Sequence, residues 1–192
     1  MPRSSIAPVN ALLDQDVTQT PAVSHIATLP AIYMAAEYKW ELDGQWWPIQ
    51  IGAHAHALDA AFPDAARFGM LTASNPGYIT RSDAENRAAD HELQSALEQL
   101  GLRYRPGFAM ARNRNWRAHN WLVIDPDESA FDVLGRQFGQ IGTLLWSRGS
   151  EVRLRMRAAR PDTLTEHPYI DWIQDAVDAR SASIEANPSV NT

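Results

Sequence analysis

The sequence predicts a single α+β domain built on a mixed, largely antiparallel sheet with helices mainly on one face. Three observations carry that expectation. From Phe68 onward the pattern runs strand, helix, strand, strand, helix, strand, the order of a ferredoxin-like βαββαβ unit. Ahead of it, Asp43-Gly44 joins two strand-like runs as a tight hairpin turn would. No internal repeat or low-complexity tract breaks residues 31–180, and 192 residues suit one domain with extensions.

Taken in order, residues 1–28 mix Pro, Ser, Thr, Gln and Ala without a sustained period and read as a disordered leader. The domain is expected over 29–180, with a disordered tail over 181–192. Ile32 to Leu42 reads as a strand and Trp46 to Ile51 as its hairpin partner. Adjacent in a strand, Trp46 and Trp47 must point to opposite faces. Ala53 to Phe62 is Ala-rich and reads as a helix stopped by Pro63. Phe68 to Ala73 is a short buried strand. Asp83 to Leu100 carries the stripe Ala89, Leu93, Ala96, Leu97, Leu100 of an amphipathic helix. Ser82 is its N-cap, Glu85 completes a capping box, and Gly101 ends it.

Leu102 to Met110 and Trp116 to Ile124 read as two strands around an Arg/Asn loop. Asp125-Pro126-Asp127-Glu128 opens a second helix with Pro at its first position and Ala130, Phe131, Leu134 and Phe138 inward. Gly139 ends that helix, and Thr143 to Trp146 is a strand. Glu151 to Arg157 alternates strictly, with Val152, Leu154 and Met156 opposite Arg153, Arg155 and Arg157. A last helix is expected over Tyr169 to Ala179.

Composition removes several functional classes. The chain has no Cys, so disulfides, thiol catalysis and thiolate metal sites are out. No run reaches the roughly 18 apolar residues of a membrane span. No apolar block follows Arg3, so a secretory leader is not expected and a cytoplasmic setting is the simplest reading. The net charge of −6 is concentrated C-terminally, where residues 158–192 carry two Arg against six acids. In contrast, 99–124 holds Arg103, Arg105, Arg112, Arg114 and Arg117 and no acid.

Polar residues gather at the ends of elements, where folds tend to build sites. Asn75-Pro76-Gly77 reads as a turn, and Asn75 also offers a donor and an acceptor to a ligand. Asn86 and Arg87 lie one turn inside a helix N-terminus, where an anion is favoured. Gln140 follows a helix end and precedes a strand. Thr72, Asn75, Asn86, Arg87 and Gln140 are therefore the candidate ligand-binding residues, with Ser82 and Glu85 explained by capping.

His54-x-His56 would share a face on a strand but diverge by about 200° on a helix. With no third ligand evident, no metal is expected. His91-Glu92 lacks the second His of a zinc protease motif. His119 beside Asn120 has the chemistry of a general base but no nucleophile tied to it. No Gly-rich phosphate loop or Gly-x-Ser-x-Gly elbow is present, so no cofactor is expected and no catalytic group is assigned.

The blocks Thr72-Ala73-Ser74-Asn75-Pro76, Glu85-Asn86 with Leu93 and Leu97, and Leu134-Gly135-Arg136-Gln137-Phe138-Gly139-Gln140 resemble an uncharacterised bacterial family, domain-of-unknown-function family 3293. The resemblance spans roughly 33–146 and implies a small soluble α+β protein with no assigned activity. Asn75, Pro76, Glu85, Asn86, Phe138, Gly139 and Gln140 are the family-type positions. The family pattern has an acid and a Ser where this chain reads Arg117-Ala118-His119-Asn120-Trp121, so a role for that acid would be missing here.

The leading functional expectation is a small polar or anionic ligand, nucleotide-like, held at the strand ends. The alternative is a protein-binding module of antitoxin or immunity type, anchored by an exposed Trp and an acidic final helix carrying Asp171, Asp175 and Asp178. A further reading is RNA binding through the Arg loop, interleaved with Tyr104, Phe108, Trp116 and Trp121. Phe108 and Trp121 also read as core, and the pI near 5.4 argues against strong non-specific nucleic-acid binding.

Overall fold

The computed structural model describes residues 23–173. Helix α1 (Val23–Ala35) leads into a hairpin of β1 (Glu37–Leu42) and β2 (Gln45–Ile49), then α2 (His56–Ala61) and β3 (Arg67–Leu71). Helix α3 (Asp83–Gln99), the hairpin of β4 (Arg103–Met110) and β5 (Arg117–Ile124), α4 (Glu128–Gln137) and β6 (Gly142–Ser147) follow. Two short strands, β7 (Leu154–Met156) and β8 (Ile170–Trp172), complete the chain's described part.

All eight strands form one sheet in the order β2-β1-β4-β5-β3-β6-β7-β8. Every neighbouring pair is antiparallel except β7 and β8. The expected α+β architecture with a mainly antiparallel sheet is what is found. The connections through α3 and through α4 each skip one strand.

Two cores lie on the two sides of this sheet, because the central strands are apolar on both faces. Phe68, Met70, Leu122, Ile124, Leu144, Trp146, Leu154 and Met156 face one side with Leu29, Leu58 and Phe62. Leu71, Val123 and Leu145 face the other, under Leu93 and Leu97 of α3 and Phe131 and Leu134 of α4. Each such burial contributes about 1.5–3 kcal/mol, so neither layer is dispensable. The helices are not mainly on one face, as expected, but two on each: α3 and α4 cover one side and α1 and α2 the other, since the central strands are apolar on both.

Several local readings need correction. Ile32 to Ala35 belongs to a helix, not a strand, and that helix begins at Val23, inside the stretch read as leader. The β-prone side chains of Ile32 and Tyr33 yield to packing: Tyr33 lies against Gly142 so closely that no Cβ would fit there. Only His56–Ala61 of the Ala-rich stretch is helical, since Ile51 and His54 bridge Val152 and Glu151. Pro126 precedes the N-cap of α4 rather than opening the helix; Asp127 caps it, accepting from the Ala130 amide at 2.9 Å. The last helix is a strand over its first residues, Ile170–Trp172, paired with β7; residues 174–179, 181–192 and 1–22 lie outside the described part.

The alternation around β7 is as read, and its Arg face has a partner that the sequence did not reveal. Asp132 of α4 accepts from Arg155 Nε at 2.9 Å and Nη2 at 2.7 Å, and from Arg157 Nη2 at 2.7 Å. Arg157, whose side chain is only 3% exposed, also donates to Thr143 Oγ1, and Glu128 pairs with Arg155 at 2.7 Å. Gly135 makes room, since a Cβ there would strike the Arg157 guanidinium. This charged cluster seats α4 on the sheet.

Candidate functional site

The loop after β3 is closed by its own polar groups. Asn75, at φ +48°, donates its amide to Asn86 Oδ1 at 2.9 Å. Its own Oδ1 accepts from the Arg81 amide at 2.9 Å and from Asn86 Nδ2 at 3.0 Å. Asn86 Nδ2 also reaches the Arg81 carbonyl. Thr72 Oγ1 accepts from the Ser74 amide, and buried Gln140 donates to the carbonyls of Ser74 and Phe138.

The Gly77 amide bonds the Gly139 carbonyl at 2.8 Å, and Gly139, at φ +62°, faces Pro76 with no space for a side chain. Four of the five expected ligand residues (Thr72, Asn75, Asn86 and Gln140) thus bond within the protein, locking this loop to the ends of α3 and α4. Arg87 is exposed on the first turns of α3.

The capping box at Ser82 and Glu85 is complete in both directions. Hydrogen bonds from the Ser82 hydroxyl and then the Ser82 backbone hold the Glu85 carboxyl below its ordinary range. Because folding lowers this pKa, its contribution is full above the unfolded-state value and is lost as the pH falls through the folded one. Ser82→Ala is expected to return Glu85 toward the ordinary value, read by NMR titration of the side-chain carboxyl. An unchanged titration would mean that the hydroxyl does not hold the carboxylate.

A different surface keeps its polar groups open. Pairing places Pro48 opposite Lys39, Lys39 opposite Phe108 and Phe108 opposite His119, so these four share one face across β2, β1, β4 and β5. The face is the one that carries α3, but it extends beyond the helix. Phe108 is buried there, with two neighbours against its ring. The Arg117 guanidinium lies 4.0 Å over its ring, and Trp46 packs at 4.9 Å between centroids.

Trp46 stays 42% exposed, whereas Trp47 packs into the opposite core. Among the described residues, Lys39, Arg112, Arg114 and Arg117 form no ion pair, while Arg67, Arg103, Arg153 and Arg155 each hold a carboxylate. Glu37 and Glu41 lie on the same face along β1, and Glu41 accepts from the Gly44 amide of the turn.

At the inner end of this row sits an oriented histidine. Asp90 Oδ1, on α3, accepts from both His119 Nδ1 and Trp121 Nε1 at 2.9 Å, and His119 packs edge-on against Trp121 at 4.8 Å. Asp90 stands one helical turn after Asn86 on the same face, so the loop clasp also sets the carboxylate that holds His119. Sequence reading noted His119 without a partner. The partner lies 29 residues away in α3, and no local spacing links the two. Buried Trp121 and Phe108 are core residues, as read.

The other candidates resolve differently. His54 precedes α2, so the expected divergence from His56 fails: the rings stack at 5.3 Å, 8° from parallel. No group of three His, Cys, Asp or Glu among the described residues is arranged to hold a metal. Asp171 is engaged by Arg153 in a two-pronged ion pair, and Asp175 and Asp178 lie outside the described residues. A shallow hollow of about 410 Å³ between α3 and α4 is lined by His91, Glu92, Gln99 and Gln137 and offers no Arg or Lys.

The fold and this surface define an α+β domain with an open aromatic and cationic sheet face. No helix among the described residues is long and apolar enough to cross a membrane. Residues 71–142 match the family described as protein of unknown function, DUF3293. The match runs from the end of β3 to the start of β6, so it includes the loop clasp, Phe108, Arg117 and the Asp90–His119 pair. Trp46 and Lys39 lie outside it. No curated protein and no solved structure matches the chain.

Proposed function

We propose that this domain binds a nucleotide-type ligand, a planar base bearing a phosphate, on the open sheet face. The observation that carries the reading is the packing of Arg117 over the Phe108 ring and of Trp46, tilted by 54°, against it. Both leave an outer flat surface on which a base can stack, and Arg117 and Lys39 supply charge for the phosphate without carboxylate partners. The loop residues Thr72, Asn75, Asn86 and Gln140 enter this reading as the scaffold that fixes α3 beside the face. A cytoplasmic setting fits such a ligand. A protein partner anchored on Trp46 is the competing reading, and Lys39 and Arg117 on the same face, neither in an ion pair among the described residues, favour an anionic ligand.

Titration of mononucleotides and single-stranded oligonucleotides, followed by Trp fluorescence or calorimetry, tests the proposal. Trp46→Ala and Arg117→Ala should each weaken binding by about 1–3 kcal/mol, the range for losing one stacked base. Affinity should fall with salt by about 0.7 log units per log unit for each contacted phosphate of a single strand. Equal affinity in wild type and both variants would remove this face from consideration.

A further inference from the structure

We infer that the same face cleaves single-stranded RNA, with His119 as the general base; this rests on the nucleotide-binding reading above. Asp90 can only accept at Oδ1, so the neutral His119 ring carries its proton on Nδ1 and has its lone pair on Nε2. The imidazole side chain is 43% exposed, while Asp90 is also held by buried Trp121 and cannot swing away freely. An acceptor nitrogen is thus fixed at the edge of the stacking surface. Arg117 is two residues away on the same strand, about 6.5–7 Å along it.

The face selects the class of substrate. Along the paired row it presents Pro48, Lys39, Phe108 and His119, flanked by Trp46 and Arg117, with no Ser or Thr hydroxyl and, in a Cys-free chain, no thiol. A base without a protein nucleophile suits a substrate that brings its own, and the ribose 2′-hydroxyl stands beside its phosphodiester in every RNA strand.

In the step that follows, the 2′-hydroxyl gives its proton to His119 Nε2 as its oxygen bonds the adjacent phosphorus. The bond from phosphorus to the next nucleotide's 5′-oxygen breaks, the electron pair leaves with that oxygen, and water protonates it. The imidazolium then returns its proton to the hydroxide formed. Arg117 offsets negative charge developing on the phosphoryl oxygens. The products are a 2′,3′-cyclic phosphate and a 5′-hydroxyl end.

The test uses the full chain with a labelled single-stranded oligoribonucleotide and its all-deoxy counterpart. Fragments are identified by mass spectrometry and binding is measured by anisotropy on the same samples. Wild type should yield cyclic-phosphate fragments from RNA and none from DNA. His119→Ala should lose cleavage by about a hundredfold or more, as expected for a removed general base, with a much smaller change in affinity.

His119→Gln, which keeps a polar side chain, should behave the same way and covers the case in which alanine does not fold. Binding without cleavage by wild type overturns this inference and leaves the binding reading standing. Cleavage undiminished in both variants also overturns it. Absence of binding to either oligonucleotide overturns the binding reading and this inference with it.

Discussion

Asp132→Ala is expected to cost about 3–5 kcal/mol of folding free energy, the range for breaking a buried ion pair by removing one partner. The substitution removes the carboxylate that two guanidinium groups share. Arg157 is 3% and Arg155 15% exposed, and Asp132 accepts from both. Glu128 still reaches Arg155, and Thr143 still accepts from Arg157, but neither replaces the carboxylate shared by the two guanidinium groups.

Against a typical stability of about 5–15 kcal/mol, such a loss leaves a marginal protein. Urea unfolding followed by Trp fluorescence reads it without the ionic screening that guanidinium salts add. A triple change, Asp132→Leu with Arg155→Met and Arg157→Met, should recover much of the loss, because no charge is then left buried. If Asp132→Ala unfolds within about 0.5 kcal/mol of wild type, as an ordinary surface substitution would, the cluster is solvated and does not seat α4.

What the sequence made legible is what local chemistry decides. The Asp43-Gly44 turn, the Ser82–Glu85 box, the Leu93/Leu97 stripe and the Val152/Leu154/Met156 alternation all have their causes within a few residues of their effects, and all are present. The failures have distant causes. Ile32 and Tyr33 favour a strand by propensity, yet become helical because α1 packs across the sheet against β7. Ile170 and Trp172 looked like a helical face and instead extend the sheet beside β7, where Arg153 holds Asp171.

The site followed the same rule. Asn75, Asn86 and Gln140 were noticed because their polar side chains cluster at element ends. The structure shows that clustering to be a network of mutual hydrogen bonds. The open face escaped notice because it is assembled from β1, β2, β4, β5 and one turn of α3, elements that only the sheet order brings together. Its parts were legible only separately: one exposed Trp of the Trp46-Trp47 pair, the Arg loop with Phe108, and His119 without its partner.

The second large effect is expected at Gly69, in the middle of β3. A Cβ there would lie 2.5 Å from Cε2 and 2.7 Å from Cζ of Phe131, the fully buried ring by which α4 rests on the sheet. Ala is better than Gly in a strand by roughly 0.5–1 kcal/mol, so propensity alone would make Gly69→Ala stabilising. The contact reverses the sign. Overpacking a well-filled core costs about 1–3 kcal/mol and occasionally more, and a rigid ring cannot shorten to escape.

A net loss of about 2 kcal/mol is therefore expected on thermal or urea unfolding, at the upper part of that range less the strand gain. The cause can be separated from the effect by a double-mutant cycle. Phe131→Leu should cost less in the Gly69→Ala background than in wild type, with a coupling of about 1 kcal/mol or more between the two sites. Additive losses would mean that α4 moves as a body rather than that one ring is displaced. A moved α4 would also shift Gln140 from the Ser74 carbonyl and loosen the loop that positions α3.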